Sequence, residues 1–311
     1  NDIPYVTSYY KKNWGFCLED KVKKKLPQGK YHVYIKSKLE KGYLDLSHAL
    51  LEGESKKEIF FSSYVCHPSM VNNELSGPVV LNALMSYLKE KYKKRKYTYR
   101  FILIPETIGS IVYLSENLKT LKENMICGFN LSCVGDERTY SYIKTPFGDT
   151  LTDKALNSAL IKKDNLKIYS FLDRGSDERQ YCSPFIRLPV CTFCRTKFGE
   201  FKEYHTSADN FNLVTEKGLQ ESFQVMRNII DAFENGLYPK TTTMCEPQLG
   251  KRGLYPNIKQ KGIFNQLNLR MNLLTFSDGE TSIFDICNNL NVNLEVVLEE
   301  LLLLKSKELI R

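Results

Sequence analysis

The rhythm of apolar and polar positions changes twice along the chain. Residues 1–55 hold short alternating segments, "KYHVYIKS" and "GYLDLSHALLEG", punctuated by glycine. Alternation with period two predicts half-buried antiparallel strands. This part reads as an incomplete β module, with His48 at its surface. From residue 56 the apolar runs become continuous. "EIFFSSYVC" is a strand apolar enough to be buried on both faces. "SGPVVLNALMSYLKEKY" places Val80, Leu84, Tyr87 and Leu88 on one helical face, with Ser76 or Gly77 as the cap and Pro78 in the first turn.

The same alternation continues. "YTYRFILIPE", "MICGFNLSCVG" and "RLPVCTFCRT" are predicted strands, and "SIVYLSENL", "TLTDKALNSALIKK" and "EKGLQESFQVMRNIIDAFENG" are predicted helices. Strands alternating with helices predict an α/β fold with a mostly parallel central sheet flanked by helices. Residues 56–240 form that domain. Residues 241–258, rich in proline and threonine, read as a linker. Residues 259–311 read as three short helices of a winged-helix-like module. Its candidate recognition helix carries Glu295, Glu299 and Glu300, expected on its exposed face, and these would repel phosphate. A packing role is expected there, not nucleic-acid binding.

Composition narrows the class. The chain has 311 residues, 42% of them hydrophobic, which suffices for a full core. No apolar run reaches the ~18 residues of a membrane span, so no membrane partner is expected. Nine scattered cysteines read as reduced thiols of a cytoplasmic protein. The one CxxC, Cys191 and Cys194, lies in a strand and reads as buried sulfur, not a zinc knuckle. The net charge of +8 gathers in lysine runs at 23–25 and 89–96. The second closes a helix, where cations suit the dipole. The chain opens on Asn1, not Met, and upstream residues are expected.

Candidate chemistry lies where parallel sheets bind ligands, outside the carboxyl ends of their strands. His67, Glu106 and His205 follow apolar strands, and Asp177 precedes one. Each has an ordinary reading: a structural histidine, a helix-start carboxylate, a residue beside an N-cap. Their joint position at four strand ends instead points to a metal centre. His67, Asp177 and His205 would hold a zinc ion, and Glu106 would act as general base.

Five motifs then occur in order: "HPSMVNNELSG", "PETIGS", "NLSCVG", "GSDERQYCSP" and "EYHTSADN". Together they resemble the zinc aminopeptidase superfamily, which includes glutaminyl cyclases. The chain is most similar to a bacterial branch with a C-terminal winged helix, associated with surface-polysaccharide biosynthesis, and "IPYVTSYYKKNWGFCL" resembles it too. The resemblance implies that residues 1–55 end a β lid module inserted in the catalytic domain. It implies that His67 and His205 are metal ligands and Glu106 the base. It also exposes departures. Asn73 stands where the family has a metal-bridging Asp. Thr107 and Ser132 replace two further carboxylate ligands, and Asp177 matches an acidic position outside the ligand set. Losing three carboxylates removes the charge that holds two dications together, so one zinc ion is expected. Asp177, or failing it Glu74, would be its carboxylate. The expected activity is hydrolysis of an amide bond in a small peptide or amino-sugar derivative. A decayed site serving binding or assembly is the alternative, and a homo-oligomer is compatible with either.

Overall fold

The computed structural model describes residues 2–6, 11–255 and 263–311, with the side chains of 263–265 excepted. Its strands are β1 (Ser47–Leu51), β2 (Glu58–Tyr64), β3 (Thr98–Ile104), β4 (Met125–Leu131), β5 (Tyr140–Ile143), β6 (Leu166–Tyr169) and β7 (Val190–Cys194). They form one seven-stranded sheet in the order β1-β3-β2-β4-β7-β5-β6. The four central strands are parallel, β1 and β5 pair antiparallel to their inner neighbours, and β6 runs parallel to β5. The helices are α1 (Asp20–Lys23), α2 (Ser76–Lys91), α3 (Ile108–Asn124), α4 (Leu151–Leu160), α5 (Glu178–Tyr181), α6 (Glu216–Gly236), α7 (Ile263–Phe276), α8 (Ile283–Leu290) and α9 (Leu294–Ser306).

Strand β2 shows why the centre reads as a continuous apolar run. Successive side chains alternate faces. Ile59 and Phe61 enter the core under α2, α4 and α6, while Phe60 enters the core under α3 and α5. Each fully buried side chain of this size contributes about 1.5–3 kcal/mol. The strand thus earns stability on both sides, and its carboxyl end is fixed.

Three expectations need correction. "KYHVYIKS" forms no strand: between residues 11 and 46 the regular structure is the single turn α1. Trp14, Tyr34, Leu39 and Tyr43 of this stretch are exposed. Its alternating pattern finds no sheet to cover its apolar side, and an isolated hairpin is marginal in water. The second segment contributes β1, but as an edge of the main sheet. His48 is exposed there, as expected, and its Nε2 accepts from Arg100 at 3.0 Å.

The segment read as a linker is tied to the tail. Lys240 and Thr241 bridge to Asp278 and Ile310, and Thr242 N donates to Leu309 O at 3.0 Å. Residues 256–262, which carry the expected end of the linker and start of the winged helix, lie outside the described residues. Finally, Glu300 is buried, not exposed, and binds Arg270. Glu295 is half-buried and accepts from Gln224 at 3.1 Å, leaving Glu299 exposed. The tail shares one core with the sheet domain, α8 against α4 and α9 against α6.

Candidate metal centre and active site

The stretch 64–77 builds the first wall. After β2 the chain passes Cys66, His67 and Pro68 and enters a π turn, Val71–Leu75, which runs straight into α2. The helical segment therefore starts five residues before the Ser76 expected as a cap. Asp209 makes this start possible. Its buried carboxylate accepts from the backbone N–H of Val71 (3.3 Å), Asn72 (2.6 Å) and Asn73 (2.9 Å), satisfying donors that a helix start leaves open. The wide turn buries Asn72, Asn73 and Glu74. Gly77 lets α2 lie this close to the sheet: a Cβ there would sit 2.1 Å from Ser63 Oγ and 2.7 Å from the Leu131 carbonyl.

His67 is 5% exposed and held on both sides. Its Nδ1 lies 3.2 Å from Glu74 Oε2 and 3.1 Å from Cys66 Sγ, and its Nε2 lies 3.8 Å from Glu106 Oε2. Glu74 also accepts the backbone N–H of Cys66 and, at 2.8 Å, of His67. Its carboxylate is thus committed to orienting the loop and the ring. Burial alone would lower the His67 pKa, but hydrogen bonds to Cys66 and Glu74, and the charges of Cys66 and Glu106, override it and raise it to about 10.

His205 comes from the loop after β7. Its ring centroid lies 5.2 Å from that of His67, and Tyr204 stacks on it at 3.9 Å. Its backbone carbonyl accepts from Tyr5 N–H at 2.8 Å, so the N-terminal segment braces this loop. His205 Nε2 is buried and has no hydrogen-bond partner among the described residues. Burial, then the nearby His67 charge, lowers its pKa and favours the neutral, ligating form.

Glu106, two residues beyond β3, opens a γ-turn: Ile108 N–H donates to Glu106 O at 2.7 Å, with Thr107 at φ 65°, ψ −64° between them. That conformation is strained for a β-branched residue. Asp177 holds it, accepting from Thr107 N–H at 2.7 Å and from Ser110 Oγ at 2.8 Å through Oδ1, while its Oδ2 is buried and unpartnered. Burial, followed by the charge of Glu106, raises the Asp177 pKa to about 7. Burial also raises Glu106, against a hydrogen bond from Ser176 Oγ (2.7 Å) and the charges of His67 and Arg179.

The four expected residues thus sit at one rim, but not as one ligand set. Among the described residues, the atoms of Cys66, His67 and Glu106 all lie within 4.8 Å of one another. His67, Asp177 and His205 do not close in this way, because Asp177 is turned toward the Thr107 turn and Ser110. Sequence reasoning missed Cys66 and Asp209. The first adjoins a named histidine, and the second lies in the "TSADN" that follows another. A cavity of about 630 Å³, lined by Val65, Cys66, His67, Met70, Leu75 and Phe211 among others, opens beside His67. Behind it, Tyr64 OH donates to Asn73 Oδ1 at 2.7 Å and pairs with Ser132 Oγ at 2.6 Å. A neutral hydrogen-bonded group therefore links two of the positions where carboxylates were found wanting. The buried cysteines on β7, Cys191 and Cys194, are fully enclosed in the strand, as expected.

Comparison with known proteins places the chain. The family model described as a domain of unknown function, DUF4910, matches residues 14–236. The chain belongs to that family. A winged helix-turn-helix model matches residues 237–311. A Clostridium acetobutylicum protein, provisionally named for polysaccharide biosynthesis with an aminopeptidase-like domain, is 41% identical over 287 residues. The match covers 91% of this chain and 65% of that protein, so the chain spans just under two thirds of its relative. A crystal structure from Clostridium acetobutylicum, provisionally named a peptidase, is 37% identical with a TM-score of 0.87, covering 100% of this chain and 70% of the other. Glutaminyl cyclase of Porphyromonas gingivalis matches at 15% identity and a TM-score of 0.51, over 60% of this chain and 76% of its own, a likeness of fold alone. The fold is aminopeptidase-like with a C-terminal winged helix, as the five motifs implied.

The residues fit a metal ion. Two imidazoles lie side by side, His205 Nε2 is buried without a partner among the described residues, and the carboxylates of Glu74 and Glu106 lie at the two ring nitrogens of His67. A carboxylate that orients a ligating histidine from its other nitrogen, as Glu74 would, is a recurrent feature of metal sites.

Proposed function

We propose that this protein is a metal-dependent hydrolase that cleaves an amide bond in a small peptide or amino-sugar derivative. His67 and His205 would hold a single zinc ion. Bound there, zinc supplies Lewis acidity toward a substrate carbonyl. Glu106 takes a proton from the attacking water as the carbon–oxygen bond forms. It returns that proton to the nitrogen as the carbon–nitrogen bond breaks. Asp177 braces the strained turn that aims Glu106. The observation that carries the reading is the placement of Glu106 beside the histidine pair, with its carboxylate 3.8 Å from His67 Nε2 and its pKa raised by burial. A carboxylate held at this position is of use to a hydrolase as a base and of none to a plain binder.

One ion, not two, follows from Asn73, Thr107 and Ser132. These neutral groups cannot offset the repulsion of paired dications. An amino-sugar substrate draws support from the polysaccharide name of the Clostridium acetobutylicum relative. Neither nucleic acid nor membrane is among the proposed partners, and no helix of the described residues is long and apolar enough to cross a membrane. The same neutral substitutions favour a second reading, in which the site only binds its ligand.

Metal analysis of purified protein tests the ion. About one zinc per chain is expected in the wild type, with much less in His67→Ala and His205→Ala. Equal content in all three would sink the metal site.

A further inference from the structure

The proposed zinc site has two imidazoles, and the carboxylates around it are engaged elsewhere or turned away from the pair. Both oxygens of Glu74 are taken by backbone N–H groups and by His67 Nδ1. Asp177 Oδ1 is taken by Thr107 and Ser110; its Oδ2 has no partner among the described residues, but Asp177 is not in the group that converges with His67. Asp209 caps the π turn. Glu106 is needed as the base. An anionic donor must come from elsewhere, since a dication beside two histidines alone would be weakly held.

Cys66 fits that need. Its sulfur accepts the Glu106 backbone N–H at 3.4 Å, which fixes it beside the base. It rests 3.1 Å from His67 Nδ1, the nitrogen that Glu74 orients, so joining a metal on Nε2 requires the Cys66 side chain to turn into the cavity that it lines. It belongs to the set of three whose ligand atoms converge within 4.8 Å. It also differs from the chain's structural cysteines. Cys127, Cys133, Cys182, Cys191, Cys194 and Cys287 are buried, whereas Cys66 is part-exposed and lines the cavity beside His67. A second, independent feature lies close by: the buried Nε2 of His205, without a partner among the described residues, on a ring whose centroid is 5.2 Å from that of His67.

We propose that Cys66 is the anionic ligand of the metal, a thiolate standing in for the carboxylates lost at Asn73, Thr107 and Ser132. The proposal rests on the metal-binding reading above. On binding, the thiol gives its proton to solvent and the sulfur lone pair forms the metal–sulfur bond. Thiolate ligation is soft and strong toward zinc and cobalt, and would shift selectivity away from magnesium and manganese.

Titration of metal-free protein with Co(II), followed by absorption, tests this without reference to turnover. The wild type should show visible ligand-field bands together with a near-ultraviolet sulfur-to-cobalt charge-transfer band. Cys66→Ser should lose the charge-transfer band and bind Co(II) at least about 10-fold more weakly. Cys245→Ser, which alters an exposed cysteine away from the cavity, should match the wild type. Cys66→Asp should regain affinity without the charge-transfer band. Ligand-field bands without charge transfer in the wild type would overturn the thiolate while leaving the metal site standing, and so would an unchanged spectrum in Cys66→Ser. Because the wild-type spectrum decides the first of these, a misfolded variant does not shelter the proposal. A wild type that takes up no Co(II) would overturn the metal site and this inference with it.

Discussion

Asp177 has an ordinary pKa of 3.8 and a folded-state pKa of about 7. Between those values the folded chain keeps a proton that the unfolded chain has lost. Stability therefore falls as pH rises through this window, and the penalty is complete above the folded value. Asp177→Asn keeps an acceptor for Thr107 and Ser110 and removes the charge. In metal-free protein it should melt several degrees above wild type near about pH 8, with the gap closing near about pH 4. A lower Tm at the alkaline end would refute this assignment. Glu74 acts differently, through the ring it orients. Glu74→Gln should weaken metal binding about 10- to 100-fold, the usual cost of losing such a partner, as read by equilibrium dialysis. Unchanged affinity would mean that Glu74 merely closes the loop. That His67, Glu106, Asp177 and His205 gather at one rim was legible, because His67 and Glu106 follow strong apolar runs and the other two lie in the loops flanking β7. Cys66 and Asp209 were not, since their roles depend on partners 40 and more than 130 positions away in the chain.

At the scale of elements, the four central strands and the helices between them were legible because burial on both faces leaves a continuous apolar signal. Strands β5 and β6 were missed. Each has four residues, and β6 is a half-exposed edge that carries too few apolar positions to stand out. The opposite error arose at "KYHVYIKS", where alternation exists without a partner surface. The helix that carries Asn73 started early because a distant carboxylate caps it, which no local pattern announces. In the tail, Arg270 on α7 and Glu300 on α9 form a buried pair. Removing one partner leaves an uncompensated charge. Arg270→Met alone should cost about 3–5 kcal/mol, and Arg270→Met with Glu300→Leu should recover most of that loss. Denaturant unfolding of both variants measures it; a double variant as unstable as the single would contradict this account of the pair.

Over the whole molecule, the winged helix is a structural partner of the sheet domain. Asn293 Nδ2 donates to the Ala159 and Ile161 carbonyls, Lys154 pairs with Asp285, and Asn157 bonds Asn288. With α9 packed on α6, its inner face is closed to a DNA groove, and Glu299 faces outward. Calorimetry should therefore show one cooperative transition, and separate melting of the tail would contradict a shared core. The central claim is more specific: a hydrolytic site in which Glu106 works beside a histidine-held metal. Turnover of amino-acid anilides and N-acyl amino sugars by metal-loaded wild type and Glu106→Gln tests it most directly. Measurable hydrolysis is expected of the wild type, with a loss of about 10²- to 10⁴-fold in the variant and metal content unchanged. Equal turnover in the two proteins, or none in the loaded wild type on either substrate class, would contradict it.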